Sequence, residues 1–381
     1  MRIAICDVYY LAAIESLYSG DPQLTEAPYA DQHRAIMELS LGTGDAYSHG
    51  LRVAGHKAEE FVVNVDRIQA AWAREQGVSR TAVAAFERSR SLPRRASRQW
   101  LLHTVAHEQI DAFSPDVVFL QDLSFFSRGE LRRLKRPGRM LVGQLGVGPP
   151  ADRRLAEYDL IVSSLPRQVE RLNERGITAE YFAIAFDERV RSRLAAAGLS
   201  TDPRAERDIP VAFVGGINAD VHLAGTALLE RLAEELDVQF WGCVTGDLPA
   251  GSPIRARYHG EAWGLDMYRL LARTRVALNR HSSVAEGLAN NMRLFEATGV
   301  GACLLTEHAP NLPQLFAPGA EVATYRDADD LVATAQALLA DAERRTAIAE
   351  AGQARTLRDH TYLNRMAELG EILDRHAQPA S

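Results

Sequence analysis

The sequence predicts an α/β protein made of two doubly wound, Rossmann-like domains facing a cleft. Three observations lead there. Short apolar runs alternate with longer amphipathic ones through both halves of the chain, which is the pattern of βαβ units and a mostly parallel sheet. The alternation breaks once, at the charged segment GLSTDPRAERD. The 381 residues are too many for one small core and suit two domains of about 150–200 residues each.

In the first half the expected strands are Arg2–Val8, Glu60–Val65, Asp116–Leu120, Met140–Gln144, Leu160–Ser163 and Glu180–Ala185. Helical stretches separate them: His33–Ala54, Arg67–Arg88, Arg98–Phe113 and Pro166–Arg175. The last is well punctuated. Ser163 and Ser164 can cap the incoming amides, Pro166 suits the first turn and Gly176 the exit. In the second half the expected strands are Pro210–Val214, Val238–Trp241, Ala256–His259, Val276–Asn279, Ala302–Leu305 and Glu321–Thr324. The helices are Ala219–Leu236, Leu265–Arg273, Asn291–Thr298, Ala328–Leu339, Ala342–Ala351 and His360–Arg375. The resulting division is a first domain over 1–186, a linker over 187–208, a second domain over 209–358 and a terminal helix over 359–381.

Composition narrows the function. Hydrophobic residues make up 46% and charged residues 24%, an ordinary balance for a globular protein. No stretch approaches the roughly 18 apolar residues of a membrane span, and the start MRIAICDVYY lacks the features of a signal peptide. Cys6, Cys243 and Cys303 form no CxxC pair, so a disulfide framework or cysteine zinc site is not expected. The expectation is a cytoplasmic protein with buried thiols. A net charge of −7 argues against a nucleic-acid partner. Two basic clusters stand out: Arg88, Arg90, Arg94, Arg95 and Arg98, then Arg128, Arg132, Arg133, Lys135, Arg136 and Arg139. They read either as solvated helix faces or as a peripheral contact for an anionic acceptor or membrane surface.

Ligands of doubly wound sheets bind outside the carboxyl ends of the strands, so chemistry is sought in the strand-to-helix loops. In FVGGINAD, Phe213–Asp220, a buried strand runs into Gly215-Gly216 and then a helix. Glycines let backbone approach a ligand, and a helix start favours phosphate. A tight turn without a ligand explains the pair as well. In LNRHSSVAEGLANNMRLFEATGVGACLLTE, Leu278–Glu307, a polar loop holds Arg280, His281 and Glu286. Asn290 or Asn291 then caps a short helix. Arg293 and Glu296 share a face of it at i and i+3. The cation suits a diphosphate and the carboxylate suits two ribose hydroxyls; an internal Arg–Glu pair is the competing reading.

This segment, continuing as HAPNLPQLFAPGAEVATYRDADDLV and AIAEAGQARTLRDHTYLNRM, resembles the group-one type glycosyltransferase domain of the CgeB-like family. LGTGDAYSHGLRVAGHKAEE, VVFLQDLSFF and YDLIVSSLPRQVERL resemble the partner domain of the same bacterial proteins. The resemblance implies the GT-B fold, with a terminal helix that crosses back to the first domain. It implies a nucleotide-sugar donor (of UDP, GDP or dTDP type), an unidentified acceptor (a small molecule, polysaccharide or protein), and a metal-independent transfer with no cofactor. Carried onto this chain, Glu296 falls on the ribose position. Arg293 and Asn290-Asn291 fall near the diphosphate and sugar, Gly215 and Gly216 under the phosphates, and Trp241-Gly242 and His259-Gly260 near the base and ribose. The family's two glutamates stand eight residues apart, whereas Leu288 stands eight before Glu296. That leaves the first glutamate's role, and a retaining mechanism, without support.

An inverting transfer needs a base. GTGDAYSHG, Gly42–Gly50, offers Asp45 and His49; Asp7 and Asp122 close strands and read as turn residues. His281 could reach the leaving phosphate or make a structural bond. HTVAHE, His103–Glu108, lacks the HExxH order of a metalloprotease helix and is set aside. Two other function classes stay open: a non-catalytic nucleotide-sugar-binding protein of spore or cell-surface maturation, and a sugar-nucleotide epimerase.

Overall fold

The computed structural model describes residues 1–88, 93–146, 148, 151–218, 223–246, 248–281 and 283–377. The chain divides into two compact units, Met1–Ala183 with Leu363–Ser381, and Ile184–Tyr362.

The sheet of the first unit has six parallel strands: β1 Arg2–Asp7, β2 Lys57–Val62, β3 Val117–Leu120, β4 Met140–Leu145, β5 Leu160–Ser163 and β6 Ala179–Tyr181. Their order is β2-β1-β3-β4-β5-β6. All four residues of β3 and of β5 are buried, as expected for strands covered by helices on both faces. The terminal helix Tyr362–Ala377 is tied down where Arg375 and His376 both reach Glu180, and where Gly370 gives room to the His56 ring.

The second unit contains β7 Ile209–Val214, β8 Ile217–Asn218, β9 Val238–Trp241, β10 Val244–Thr245, β11 Thr274–Asn279, β12 Cys303–Glu307 and β13 Ala323–Tyr325. Five form a parallel sheet in the order β13-β12-β11-β7-β9, and β8 pairs with β10. Alternate residues of β7 feed two cores: Ala212 and Val214 enter one, Val211 and Phe213 the other. The sheet is therefore buried on both faces by the period of two in its strands.

Several expectations need correction. The expected helix His33–Ala54 is two, Tyr29–Glu38 and Ala46–Val53. Between them Ser40, Gly42 and Gly44 take positive φ, which a continuous helix cannot contain. Arg67–Arg88 likewise breaks into Asp66–Gln76 and Arg80–Arg88 around left-handed Gly77 and Ser79. β2 starts and ends three residues earlier than expected. Ala256–His259 is no strand: Pro253 opens a helical turn, Pro253–Ala256, and only an isolated bridge joins Tyr258 to Phe240. The start of the expected Ala219–Leu236 helix lies outside the described residues, which resume in the helix Leu223–Glu235.

The stretch 187–208, expected as a linker, lies inside the second unit. Val190 and Leu194 of the Arg189–Ala196 helix are fully buried in its core. Arg207, also buried, donates to the carbonyls of Ala272 and Val300 at 2.5 and 3.1 Å. Those carbonyls close two helices, and their dipoles offset the cation that periodicity could not place. Of the cysteines, Cys6 and Cys303 are buried but Cys243 is exposed.

Candidate active site

Two strand ends of the second unit, those of β7 and β9, and the loop at Gly260 are knitted into one rim. Gly215 N–H donates to Trp241 O at 2.9 Å, and Gly242 N–H to Gly260 O at 3.0 Å. A Cβ on Gly242 would stand 2.1 Å from Gly215 O, and its φ is +126°, so only glycine permits this approach. Gly216 is different: a Cβ there meets nothing within 4 Å. The rings of Trp241 and His259 stack at 4.8 Å, and His259 Nε2 lies 2.6 Å from Gln239 Oε1. The structure thus brings together Gly215, Gly216, Trp241, Gly242, His259 and Gly260.

Arg280 follows β11 and reaches Gly225 in the helix Leu223–Glu235, whose start lies outside the described residues. Its Nη1 lies 1.4 Å from where a Cβ of Gly225 would be. Among the described residues no carboxylate pairs with this guanidinium. Asn291 holds the backbone beneath it: its amide donates to Arg280 O at 2.9 Å and to Asn279 Oδ1 at 2.7 Å. Asn291 is therefore not the expected cap. The short helix runs Arg293–Gly299 from Met292, without a side-chain cap bond. Asn290 sits half-buried beside it.

Arg293 and Glu296 turn towards each other. Arg293 Nη1 lies 2.7 Å from Glu296 Oε2, and its Nε donates to Val214 O at 3.0 Å. Tyr268 Oη donates to Glu296 Oε1 at 3.4 Å, and Glu296 is only 6% exposed. Burial, then the charge of Glu296, pushes the Tyr268 phenol well above its ordinary range. The internal pair exists, and it buttresses the end of β7.

His281 is committed to structure. Its Nε2 bonds Glu307 O at 2.8 Å, its Nδ1 is buried with no partner among the described residues, and burial lowers its pKa. The Nε2–H tautomer that this carbonyl requires leaves the neutral ring no N–H for a phosphate oxygen.

In the first unit Asp45 precedes the helix Ala46–Val53 without capping it. Glu60 does so instead, accepting from Ser48 N–H at 2.9 Å. Its carboxyl is 5% exposed and held well above the usual range by burial, then by Asp7 and Asp45. His49 lies half-buried one turn after Asp45. Asp122 is a turn residue, accepting from Ser124 and Phe125 N–H. Asp7 is the unusual group: burial, then the charge of Asp122, raises its carboxyl to about 7. His103 pairs with Glu130 at 2.5 Å. In the second basic cluster Arg128 and Arg132 pair with Glu157, Lys135 with Asp159, and Arg136 and Arg139 with Asp111, so local carboxylates offset much of it. Arg90 and the Arg94 side chain lie outside the described residues.

Sequence reasoning missed Gly225 and Glu60. A glycine in a helical turn costs about 1 kcal/mol against alanine, which was the available signal for Gly225. For Glu60 a charge among the apolar residues FVV was the signal.

Over residues 224–371 the chain matches the family model described as glycosyl transferase-like. Similar solved structures include sucrose-phosphate synthase from Thermosynechococcus elongatus (12% identity, 98% of each chain, TM-score 0.56). AviGT4, a glycosyltransferase involved in avilamycin A biosynthesis, is similar at 13% identity over 99% of this chain and 98% of that one, with TM-score 0.55. A putative UDP-N-acetylglucosamine 2-epimerase from Listeria monocytogenes is similar at 11% identity over 100% and 98%, with TM-score 0.51. No curated protein sequence matches the chain. The fold is the GT-B fold of glycosyltransferases. No helix among the described residues is long and apolar enough to cross a membrane.

Proposed function

We propose that the protein is a glycosyltransferase that moves a sugar from a nucleoside-diphosphate sugar to an acceptor hydroxyl. One observation carries this reading: the guanidinium of Arg280, without a carboxylate partner among the described residues, sits against Gly225 of the helix that follows Gly215-Gly216. A guanidinium near an open glycine backbone suits a diphosphate. When the sugar–phosphate bond breaks, negative charge grows on the diphosphate. A donor aimed at that charge lowers the barrier by about 3–4 kcal/mol, so Arg280 supplies what a metal supplies elsewhere. Trp241 and His259 offer a ring face to the base. Glu296, steadied by Arg293, offers its remaining lone pairs to the ribose.

The experiment is a thermal-shift series with UDP, GDP, dTDP, CDP and ADP. A ligand of the folded state raises apparent stability by mass action. One nucleotide should raise the melting temperature of the wild type but not of Arg280→Ala, and no response to any of the five rejects the reading. The likeness to a putative UDP-N-acetylglucosamine 2-epimerase keeps a second reading in view. Conversion of a nucleotide sugar without any acceptor would establish it.

A further inference from the structure

Two helices of the first unit, Pro93–Phe113 and Arg128–Leu134, flank β3 in the chain and cover one face of its sheet. Ala106, Ile110 and Phe113 of the first helix and Leu131 and Leu134 of the second share a core with Val118 and Leu120 of β3. Their outward residues line a groove of about 850 Å³. Trp100, Thr104, His107 and Asp111 stand on one wall, at spacings of four, three and four residues, which is the stripe of one helix face. Glu130 and Arg133 stand on the other wall. Both histidines of HTVAHE line this groove.

Much of the charge in the groove is already paired. Glu130 holds His103 at 2.5 Å and accepts from Ser127 N–H at 2.7 Å, and Asp111 pairs with Arg136 and Arg139. One side chain of each sign is left over. Among the described residues, neither Glu108 nor Arg133 has a hydrogen-bond or ion-pair partner, and the Gln99 amide and Trp100 indole N–H have none either. His107 Nε2 is buried and equally unpartnered. Burial lowers its pKa, so the ring is neutral at pH 7 and offers a lone pair or an N–H. Trp100 is 47% exposed, while Leu101, Leu102 and Val105 beside it take the buried positions. A lone exposed apolar side chain needs no explanation. An indole face on the wall of a groove that also holds unsatisfied polar groups is the composition of a ligand site.

We propose that this groove binds a neutral oligosaccharide, with one pyranose ring stacked on Trp100 and its hydroxyls held by Glu108, Arg133 and His107. The chemistry selects the class. One face of a pyranose is lined with C–H bonds, whose positive ends suit the negative face of an indole. The hydroxyls around the ring edge both give and take hydrogen bonds, so a carboxylate acceptor and a guanidinium donor are used together. An anionic ligand would be opposed by Glu108 and a cationic one by Arg133, since like charges brought together cost free energy. The volume falls in the upper part of the range of about 300–1,000 Å³ for small-molecule pockets, which leaves room for more than one ring. The first unit builds the groove by itself, on its helix layer. The proposal therefore goes beyond the glycosyl-transfer reading and does not depend on it.

The test uses the full chain. Saturation-transfer NMR is recorded with maltotriose, cellotriose, mannotriose and tri-N-acetylchitotriose at about 5 mM, a concentration suited to millimolar affinity. At least one should bind. Trp100→Ala should weaken it about tenfold or more, as truncating an aromatic anchor does, and Trp100→Phe, which keeps a ring face, should recover part of the loss. Glu108→Gln and Arg133→Met should each weaken it about three- to tenfold, the loss of a hydrogen bond to a charged group. If Trp100→Ala does not fold, these two variants at exposed positions decide. Gly216→Val, changed in the second unit, should bind the trisaccharide as wild type does, and a saturating nucleotide should leave the signal unchanged. No trisaccharide signal, or wild-type binding by Trp100→Ala, overturns the groove. So does displacement of the sugar by a nucleotide, which would put it in the donor site. A wild type that ignores every nucleotide overturns the transfer reading alone, and the Trp100 variants still judge the groove.

Discussion

Arg280 occupies the space that a side chain on Gly225 would need, with Nη1 1.4 Å from the ideal Cβ position. The glycine admits the guanidinium against the helix, so the two positions should act as one. Gly225→Ala has a better helix former and should fold at least as well as wild type, but with Arg280 displaced. Nucleotide affinity should fall about tenfold or more, the loss of a charge-assisted hydrogen bond. In an Arg280→Ala background the same change should cost nothing further. Calorimetric titration of the four proteins gives the coupling, and additive losses would separate the two residues.

Gly216 offers a cleaner test of where the ligand lies. A Cβ there meets nothing within 4 Å and its φ is not positive, so Gly216→Val should leave the melting temperature within about 2 °C, as for surface changes in general. If the diphosphate passes over this backbone, the same variant should abolish nucleotide binding. Unchanged binding would move the ligand elsewhere.

The Arg293–Glu296 pair predicts a loss of stability as well as of function. With side-chain exposures of 15% and 7%, removing Glu296 leaves a mostly buried cation facing, among the described residues, Val214 O and Met267 Sδ. Glu296→Ala should cost about 3 kcal/mol by urea denaturation, and should weaken nucleotide binding by more than the stability loss explains. Arg293→Met/Glu296→Leu should recover much of the stability and none of the binding. Full binding in the double variant would confine the pair to a structural role.

Asp7 makes a pH prediction. Its carboxyl is raised to about 7 in the folded chain by burial and then by Asp122, against about 3.9 in an unfolded one. The folded state holds the proton more tightly, so this contribution is fully present below about pH 4 and is lost as pH rises through about 7. Asp7→Asn cannot titrate. Stability of the wild type relative to Asp7→Asn should therefore fall between pH 4 and 7.5 and level off above about 8. A difference that stays constant across that range would show that Asp7 titrates normally.

Residues such as Gly215, Gly216, Trp241 and Gly242 were legible because glycines and aromatics at strand ends carry a local signal. Glu296 and Arg293 were legible as a pair, since i and i+3 on a helix must meet, but whether they met each other or a ligand was not. Arg280 was visible as a loop cation, and its seat at Gly225 was not. Fifty-five positions of chain separate the two, and no local pattern spans them. The breaks at Ser40 and Ser79 were missed because serine seldom takes positive φ.

The sequence by itself determined two parallel α/β sheets, because apolar periods of two and of about 3.6 decide strand and helix locally, and it determined which loops follow the strands. Only the tertiary structure decided that Trp100, Glu108 and Arg133 line one groove. That juxtaposition depends on how two helices, one on either side of β3 in the chain, pack over the same core. Such packing is set by the ridges and grooves of whole elements, and no short window of residues records it.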